Sequence, residues 1–549
     1  MNRTKIYICL CLLSLLGWGC SSDNNDNGND VVNRNRVYAL FSLKNLSVPG
    51  DAGEASIMVQ WSETDWEIAF EAGDLVTEVS QKQGGDRNES NQITRIRIAY
   101  SRNDDVMARS QTIHITNKLT GEVSDMTIEQ SADYRPVEIS IDRQTKYQHV
   151  DGFGGMYNPV IWSGSYLITP NEMTTMYGAD GLGYSILRLM IYPEERHWSA
   201  DVEAAKYAQQ QGALIFASPW DCTDALAETI TRADGKEVKH LKHESYEEYA
   251  QHIIKYINYM KQNGVNLYAV SIQNEPDMEF TYWLPDEVVE FVKSYGSAIR
   301  ATGVKLMAPE ACGTSPEYTD PILNDAAAIA NTDILVGHFY QGFLDTDNSY
   351  VKNRYDYICG LPAKLNGKPF WMTEHLFNDG ENETDETKWE FLKWEYNLSH
   401  LGKELSMSMD GGCSAYIYWY LKRFYGMIGD NTEKSPVPEG AIAKNGYILS
   451  HFARYATNMT RIAVTTDKPG MLITAYTNEA GNEITLVMLN LSNEKLNVLV
   501  PATDVKEVTA VQTTETVNME TSETGILSEE EVAYILLPGN SIVSARLKY

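Results

Sequence analysis

Two glutamates each close an apolar, strand-like run: Glu275 in Ser271-Ile272-Gln273-Asn274-Glu275-Pro276, and Glu374 in Phe370-Trp371-Met372-Thr373-Glu374. A carboxyl pair brought together from two strand ends can hydrolyse an acetal, one carboxyl protonating the departing oxygen while the other attacks the anomeric carbon. A separation of about 5–5.5 Å between the two would give retention through a covalent glycosyl-enzyme. A single glutamate is ordinarily a surface or capping group, so the reading rests on the matched placement and on the local pattern Asn274-Glu275-Pro276. Arg188 ends another such run and is placed either to orient a carboxylate by a charge-assisted bond or to form a buried salt bridge. His338 and Tyr340 end a further run, where Tyr340 can donate to Glu374 and His338 reads equally as a core histidine. Trp162, Trp220, Trp283 and Trp419 are candidates for stacking on sugar rings, with core packing as the alternative for each. No His-Glu-x-x-His, phosphate-cradling glycine loop or Gly-x-Ser-x-Gly elbow occurs at a fitting place, so neither metal nor cofactor is expected.

These residues need a frame that gathers strand ends. Eight short β-rich runs alternate with helical patterns, near Val150–Gly154, Tyr184–Met190, Ala213–Ser218, Leu267–Ile272, Val304–Pro309, Asp333–Tyr340, Pro369–Thr373 and Ser414–Leu421. One intervening helix is marked by a capping box at Ser245 and Glu248, an apolar face of Tyr249, Ile253, Tyr256, Ile257 and Met260, and a stop at Gly264. The alternation predicts a TIM (β/α)8 barrel over residues 137–454, whose chemistry is built at the C-terminal strand ends where both glutamates fall. From Tyr455 the helical pattern stops, and Met471–Ala475, Glu483–Leu491, Leu496–Val500 and Val532–Leu537 predict a C-terminal β-sandwich over 455–549. A strand within 137–148, beginning with Val137–Ile141, is expected to pair with it. Residues 37–132 hold short strands about Ile93, Ile96 and Ile98, about Ile113 and Ile115, and about Met126 and Ile128. With turns at Gly84-Gly85 and Asn103-Asp104, they predict a small N-terminal β-sandwich. The class is therefore multidomain.

A net charge of −30 over 549 residues argues against nucleic acid or an anionic membrane face as partner. The 33 tyrosines and 11 tryptophans suit a core or a sugar-stacking surface equally. At the N-terminus, Arg3 and Lys5 precede the apolar run Ile6–Leu16, Gly19-Cys20 follows, and residues 21–36 are Asn/Asp-rich. That pattern predicts a signal over 1–20 and a flexible tether over 21–36. It resembles a bacterial lipoprotein signal in which Cys20 is lipidated, implying export to the outer membrane or cell surface of a Gram-negative bacterium. Cleavage with full secretion is the alternative. Cys222, Cys312, Cys359 and Cys413 are widely spaced, so buried free thiols are the default, with disulfides open in an exported chain.

Residues 137–549 resemble glycoside hydrolase family 30. The resemblance is carried by Asp151-Gly152-Phe153-Gly154-Gly155-Met156, Gly183-Tyr184-Ser185-Ile186-Leu187-Arg188 and Phe216-Ala217-Ser218-Pro219-Trp220. Asn263 to Val270, both glutamate motifs and Leu537-Pro538-Gly539-Asn540-Ser541 continue it in order. The resemblance implies Glu275 as acid/base, Glu374 as nucleophile, Asn274 as a partner of the sugar 2-hydroxyl, and Trp162 and Trp220 at the subsites before the cut. Ala415 to Gly426 is similar to the glucuronoxylanase branch, which implies that Arg423 and Tyr425 hold a glucuronate branch on xylan; an ion-pair role for Arg423 is the alternative. Leu376 stands where that branch carries Tyr, so strict dependence on glucuronate is in question. Thr64-Asp65-Trp66, Arg109 and Thr127 to Gln130 resemble the BACON module, read as a spacer or a glycan binder. The expected function is an endo-acting β-1,4-xylanase working as a monomer on xylan, attached to the membrane only through a lipid. Another family 30 β-glycosidase (β-1,6-glucanase, glucosylceramidase-like or β-xylosidase) and a non-catalytic surface glycan-binding lipoprotein are the rivals.

Overall fold

Eight parallel strands close into a barrel in chain order: β1 (Gly152–Met156), β2 (Ile186–Ile191), β3 (Leu214–Pro219), β4 (Ala269–Ser271), β5 (Lys305–Ala311), β6 (Ile334–Gly337), β7 (Phe370–Met372) and β8 (Ala415–Tyr420). All eight lie within the runs marked from sequence or overlap them. The computed structural model describes residues 37–70, 73, 75–105, 107–132, 136–160, 168–278, 280–340, 349–376, 393–527 and 531–549. The signal over 1–20 with Cys20, the tether over 21–36, and Trp162 lie outside the described residues.

The two-residue period of a strand explains why one end of this barrel is inert and the other chemical. Ile186, Phe216, Ala269, Val336 and Trp371 point inward and, with Met307, Ile334, Ala415 and Ile417, pack a wholly apolar plug. Two residues further along the same strands or just past their ends come Arg188, Ser218, Ser271, His338 and Thr373, all fully buried and all polar. The apolar layers fix the barrel and the next layer faces its C-terminal mouth. Gly154 lets the first strand close: a Cβ there would lie 1.7 Å from the Ile186 carbonyl oxygen.

Helices cover the outside. Helix α1 (Tyr246–Gln262) buries Tyr249, Ile253, Tyr256, Ile257 and Met260 as its periodicity requires. The expected capping box is not formed, and Ser245 makes no side-chain cap bond. Its backbone (φ −95°, ψ 0°) already lies in a 3-10 turn over His243–Ser245, not in the extended conformation that aims a cap hydroxyl at the next amides. Helix α2 (Pro285–Arg300) follows β4 and starts on Glu287, whose carboxylate accepts from the Leu284 amide at 2.7 Å.

The strand Pro136–His149 precedes the barrel but belongs to a ten-stranded sheet made otherwise from residues 460–548. Its first residues run parallel to Leu496–Pro501 and its remainder runs antiparallel to Thr460–Thr466. Val137, Ile139, Ile484, Leu486, Val498 and Val543 share one core beneath it.

Residues 37–132 lie in a separate compact unit that parts from the rest near residue 133. It holds a four-stranded and a five-stranded sheet whose inward residues, among them Val59, Ile96, Ile98, Ile113, Ile115 and Ile128, make one core. Arg109 Nε donates to Gln130 Oε1 at 2.9 Å, joining two of the residues singled out from sequence. Gly84-Gly85 is not a turn. It lies inside the strand Gln83–Asp86, where a Cβ on Gly84 would come within 2.4 Å of the Trp66 ring. The glycines are there so that a backbone can lie on that indole. Cys222, Cys312 and Cys413 are buried free thiols, whereas Cys359 is exposed.

Candidate active site

Glu275 and Glu374 arrive at the barrel mouth from opposite parts of the sheet. One carboxylate oxygen of each, together with a ring nitrogen of His338, lie within 4.8 Å of one another. Glu374 follows β7 by two residues and is fully fixed: Tyr340 Oη donates to Oε1 at 2.8 Å, and Arg188 Nη1 donates to Oε2. Glu275 is bonded to His338 Nδ1 at 3.0 Å through Oε1. Its own backbone takes φ +45°, and its amide donates to the Glu310 carbonyl at 3.0 Å. A side chain in that left-handed region costs on the order of 1–3 kcal/mol, and such strain accumulates where geometry is used.

Arg188 is the hub. Its Nη2 donates to Asn274 Oδ1 at 2.6 Å and to Glu310 Oε1 at 3.0 Å, while its guanidinium carbon stands 4.4 Å from the Trp220 ring centre. Asn274 therefore spends its carbonyl oxygen on Arg188, and its buried Nδ2 has no partner among the described residues. An unmet donor beside two carboxylates at a cleft is a place for a ligand hydroxyl.

Burial would raise Glu310, but the charges of Arg188 and His338 overcome it and hold its carboxyl down at about 2. Burial pushes Glu374 up and Glu275 adds to this, while His338 and Arg188 pull it back. For His338 burial opposes the proton, yet Glu374 and the bond to Glu275 lift the imidazole to about 9. Two cations thus face three carboxylates. The trio Glu275, His338 and Glu374 has the spacing of a metal site, but Arg188 already pairs a fixed positive charge with Glu374, one of the three.

Sequence reasoning missed Glu310, Asp277 and the support behind Tyr340. Glu310 sits at the C-terminal end of β5, where the strand-end rule that found the other two glutamates applies equally. Asp277 Oδ1 accepts from the Cys312 amide at 2.9 Å, and burial with the nearby Glu275 charge pushes its carboxyl up from 3.8 to about 6. His375 lies edge-on to Tyr340 at 5.0 Å and bonds Glu404 at 2.6 Å, which also accepts from Tyr416 at 2.7 Å.

The aromatic candidates divide. Trp220 and Trp419 lie together near the mouth, ring centres 6.0 Å apart. Trp283 does not serve as a sugar platform. It is 1% exposed and packed by Tyr246, Tyr249 and Phe291 at 5.3–5.7 Å between α1 and α2. Arg423 lies over the rings of Tyr420 and Tyr425 at 5.4 and 5.2 Å, and Tyr425 is within electrostatic reach of Glu374. The neighbouring Lys422 is buried against Glu172 and Glu439 at 2.8 and 3.0 Å, which anchors the loop that carries Arg423. Leu376 packs on the core, and residues 377–392 beyond it lie outside the described residues.

Asp277 yields a pH-dependent stability prediction. A carboxyl whose folded value is raised stabilises the fold below its unfolded value of about 3.8 and loses that contribution as pH rises through about 6. Asp277→Asn keeps the oxygen that accepts from Cys312 and removes the buried charge. It is expected to gain on the order of 1–3 kcal/mol at pH 7 and little at pH 4, as read from thermal unfolding at both pH values.

Residues 176–357 match the family model for the glycosyl hydrolase family 30 TIM-barrel domain. Over 365 residues the chain is 32% identical to glucuronoxylanase XynC of Bacillus subtilis, covering 66% of this chain and 78% of that protein. Among solved structures it is similar to a GH30 endoxylanase from Clostridium papyrosolvens C71 (29% identity, TM-score 0.62), over 75% of this chain and all of that one. It is also similar to Xyn30A, a subfamily 8 xylanase of the same family from Clostridium acetobutylicum (26% identity, TM-score 0.60), with the same coverage of both.

Proposed function

The chain belongs to glycosyl hydrolase family 30, and from that premise we propose that it is a retaining, endo-acting hydrolase of β-1,4-xylosidic bonds in glucuronoxylan. The observation that carries the reading is the approach of Glu275 and Glu374 to within a sugar ring's width, with an oxygen of each inside 4.8 Å. That spacing leaves no room for a water between carboxylate and anomeric carbon, so direct attack by one carboxylate is favoured over inversion.

Glu374 is the nucleophile. Arg188 and Tyr340 hold its two oxygens, which sets the direction of its lone pairs and keeps the anion available despite burial. Glu275 protonates the leaving oxygen and, in the second step, takes a proton from the water that releases the sugar. His338 shares a proton with Glu275 along the 3.0 Å bond. When that proton leaves with the departing oxygen, His338 becomes neutral, and three carboxylates against the one remaining cation, Arg188, leave a net negative charge around the oxocarbenium-like transition state. Asn274 Nδ2 is the donor to the sugar 2-hydroxyl.

The glucuronoxylan assignment is supported by the named activity of the Bacillus relative and by Arg423 beside Tyr425. A strongly acidic protein repels an acidic polymer at long range, so a uronate branch must be met by a local guanidinium with paired donors. Trp220 and Trp162 are taken as platforms at the subsites before the cut, with Trp419 beside Trp220. Export by a lipid on Cys20, with residues 37–132 as a BACON-like spacer sandwich, is supported by the Arg3/Lys5, apolar run and Gly19-Cys20 order. The test is mass analysis of the products from glucuronoxylan for the parent and for Arg423→Ala. The parent should give products with one uronate each, and the variant should lose about tenfold or more in kcat/KM on that substrate, consistent with one charge-assisted pair. Products from β-1,6-glucan and none from any xylan would overturn the assignment.

A further inference from the structure

Away from the catalytic carboxylates, a hairpin of Ala227–Thr231 and Glu237–Leu241 follows β3 and leads into α1. His240 lies near its end and His243 in the 3-10 turn before α1, and both meet Glu287 in the first turn of α2. His240 Nε2 is 3.0 Å from each oxygen of Glu287, and His243 Nε2 is 2.8 Å from Oε1. His240 and Glu287 are buried, while the His243 side chain is 55% exposed.

The other nitrogen of His240 gives the independent observation. Its Nδ1 stands 3.3 Å from Glu228 Oε1, so this one buried imidazole has a carboxylate on each ring nitrogen. A neutral ring has a single N–H and would turn a lone pair on one of the two carboxylates. A cation at Nε2 resolves the conflict. With Nδ1–H given to Glu228, the ring has the tautomer and the outer carboxylate that orient a metal-bound histidine.

We propose that His240 Nε2, His243 Nε2 and the Glu287 carboxylate bind one divalent ion of the zinc class, with water in the remaining position. Bonds of about 2.0–2.1 Å set tetrahedral ligand atoms about 3.3 Å apart, a small opening from the 2.8–3.0 Å seen here. Two imidazoles with one carboxylate suit zinc rather than calcium or magnesium, which prefer oxygen. Exposed His243 gives the ion its path and the water its place. The ion would tie the hairpin after β3 to the helix after β4, spanning the loop that presents Asn274, Glu275 and Asp277. The same tie reaches Trp283, because Tyr246 stacks on His243 at 5.0 Å and on Trp283 at 5.4 Å. Nothing in this site depends on which glycan is cleaved.

The test is calorimetric titration of the chelator-treated full chain with Zn²⁺ alone at pH 7.5, with thermal unfolding followed in parallel. The parent should take up one equivalent at micromolar affinity or tighter, with an unfolding midpoint raised by Zn²⁺ and not by Ca²⁺. His243→Ala, on an exposed turn that leaves the core untouched, should weaken binding at least tenfold and abolish the rise in midpoint; Glu287→Gln should do the same. No stoichiometric uptake by the parent, or equal uptake by His243→Ala, would overturn the proposal and leave a hydrogen-bonded His–Glu–His cluster.

Discussion

Glu374→Gln is expected to lower kcat on glucuronoxylan by about four orders of magnitude while leaving the unfolding midpoint near that of the parent. The amide keeps the shape of the side chain and an oxygen for the Arg188 guanidinium, so the positioning in the barrel mouth is preserved. What disappears is the anionic oxygen that forms the glycosyl-enzyme bond. Stability should change little, since the variant gives up an ion pair with Arg188 and also the desolvation of a buried anion. Initial rates of reducing-end release, read beside thermal melts of the same preparations, check both halves. A variant within tenfold of the parent would sink the assignment of Glu374 as nucleophile.

Arg188→Met should damage stability as well as rate. Arg188 is fully buried between Glu310 and Glu374, so its loss strands two carboxylates away from water. Removing one partner of a buried pair costs about 3–5 kcal/mol. Glu310→Gln added to that variant should restore part of the loss, and a coupling of about 1–3 kcal/mol in the cycle would mark the pair as one unit. Activity carries a separate signature. Without the guanidinium Glu374 loses a partner that favours its anion, its carboxyl rises further, and the acid limb of the rate profile moves upward. The remaining activity should therefore fall more at pH 5 than at pH 7.

The barrel was legible because each strand carries enough apolar residues to read as a run, and because a parallel sheet buried on both faces leaves little else to confuse with it. Both glutamates were legible for the related reason that each ends such a run. Glu310 obeys the same rule and was overlooked, since Pro309-Glu310-Ala311 has no partner motif in the sequence and its link to Arg188 exists only once β2 and β5 face each other across the barrel. Trp283 shows the converse case: residue type left sugar platform and core packing both open, and the packing of α1 against α2 took the ring into the core. Ser245 had the right residue at the right spacing for a cap. A turn of 3-10 helix placed before it changed the backbone angle on which capping depends.

The strand Pro136–His149 sets a rule for cutting the gene. Thr460–Thr466 and Leu496–Pro501 both use it as a neighbour. A truncation starting at the first barrel strand would leave two open flanks with bare amides and carbonyls, ready to recruit another molecule. Fragments that begin upstream of residue 136 should be recovered as soluble material; those that begin at Gly152 should go to inclusion bodies.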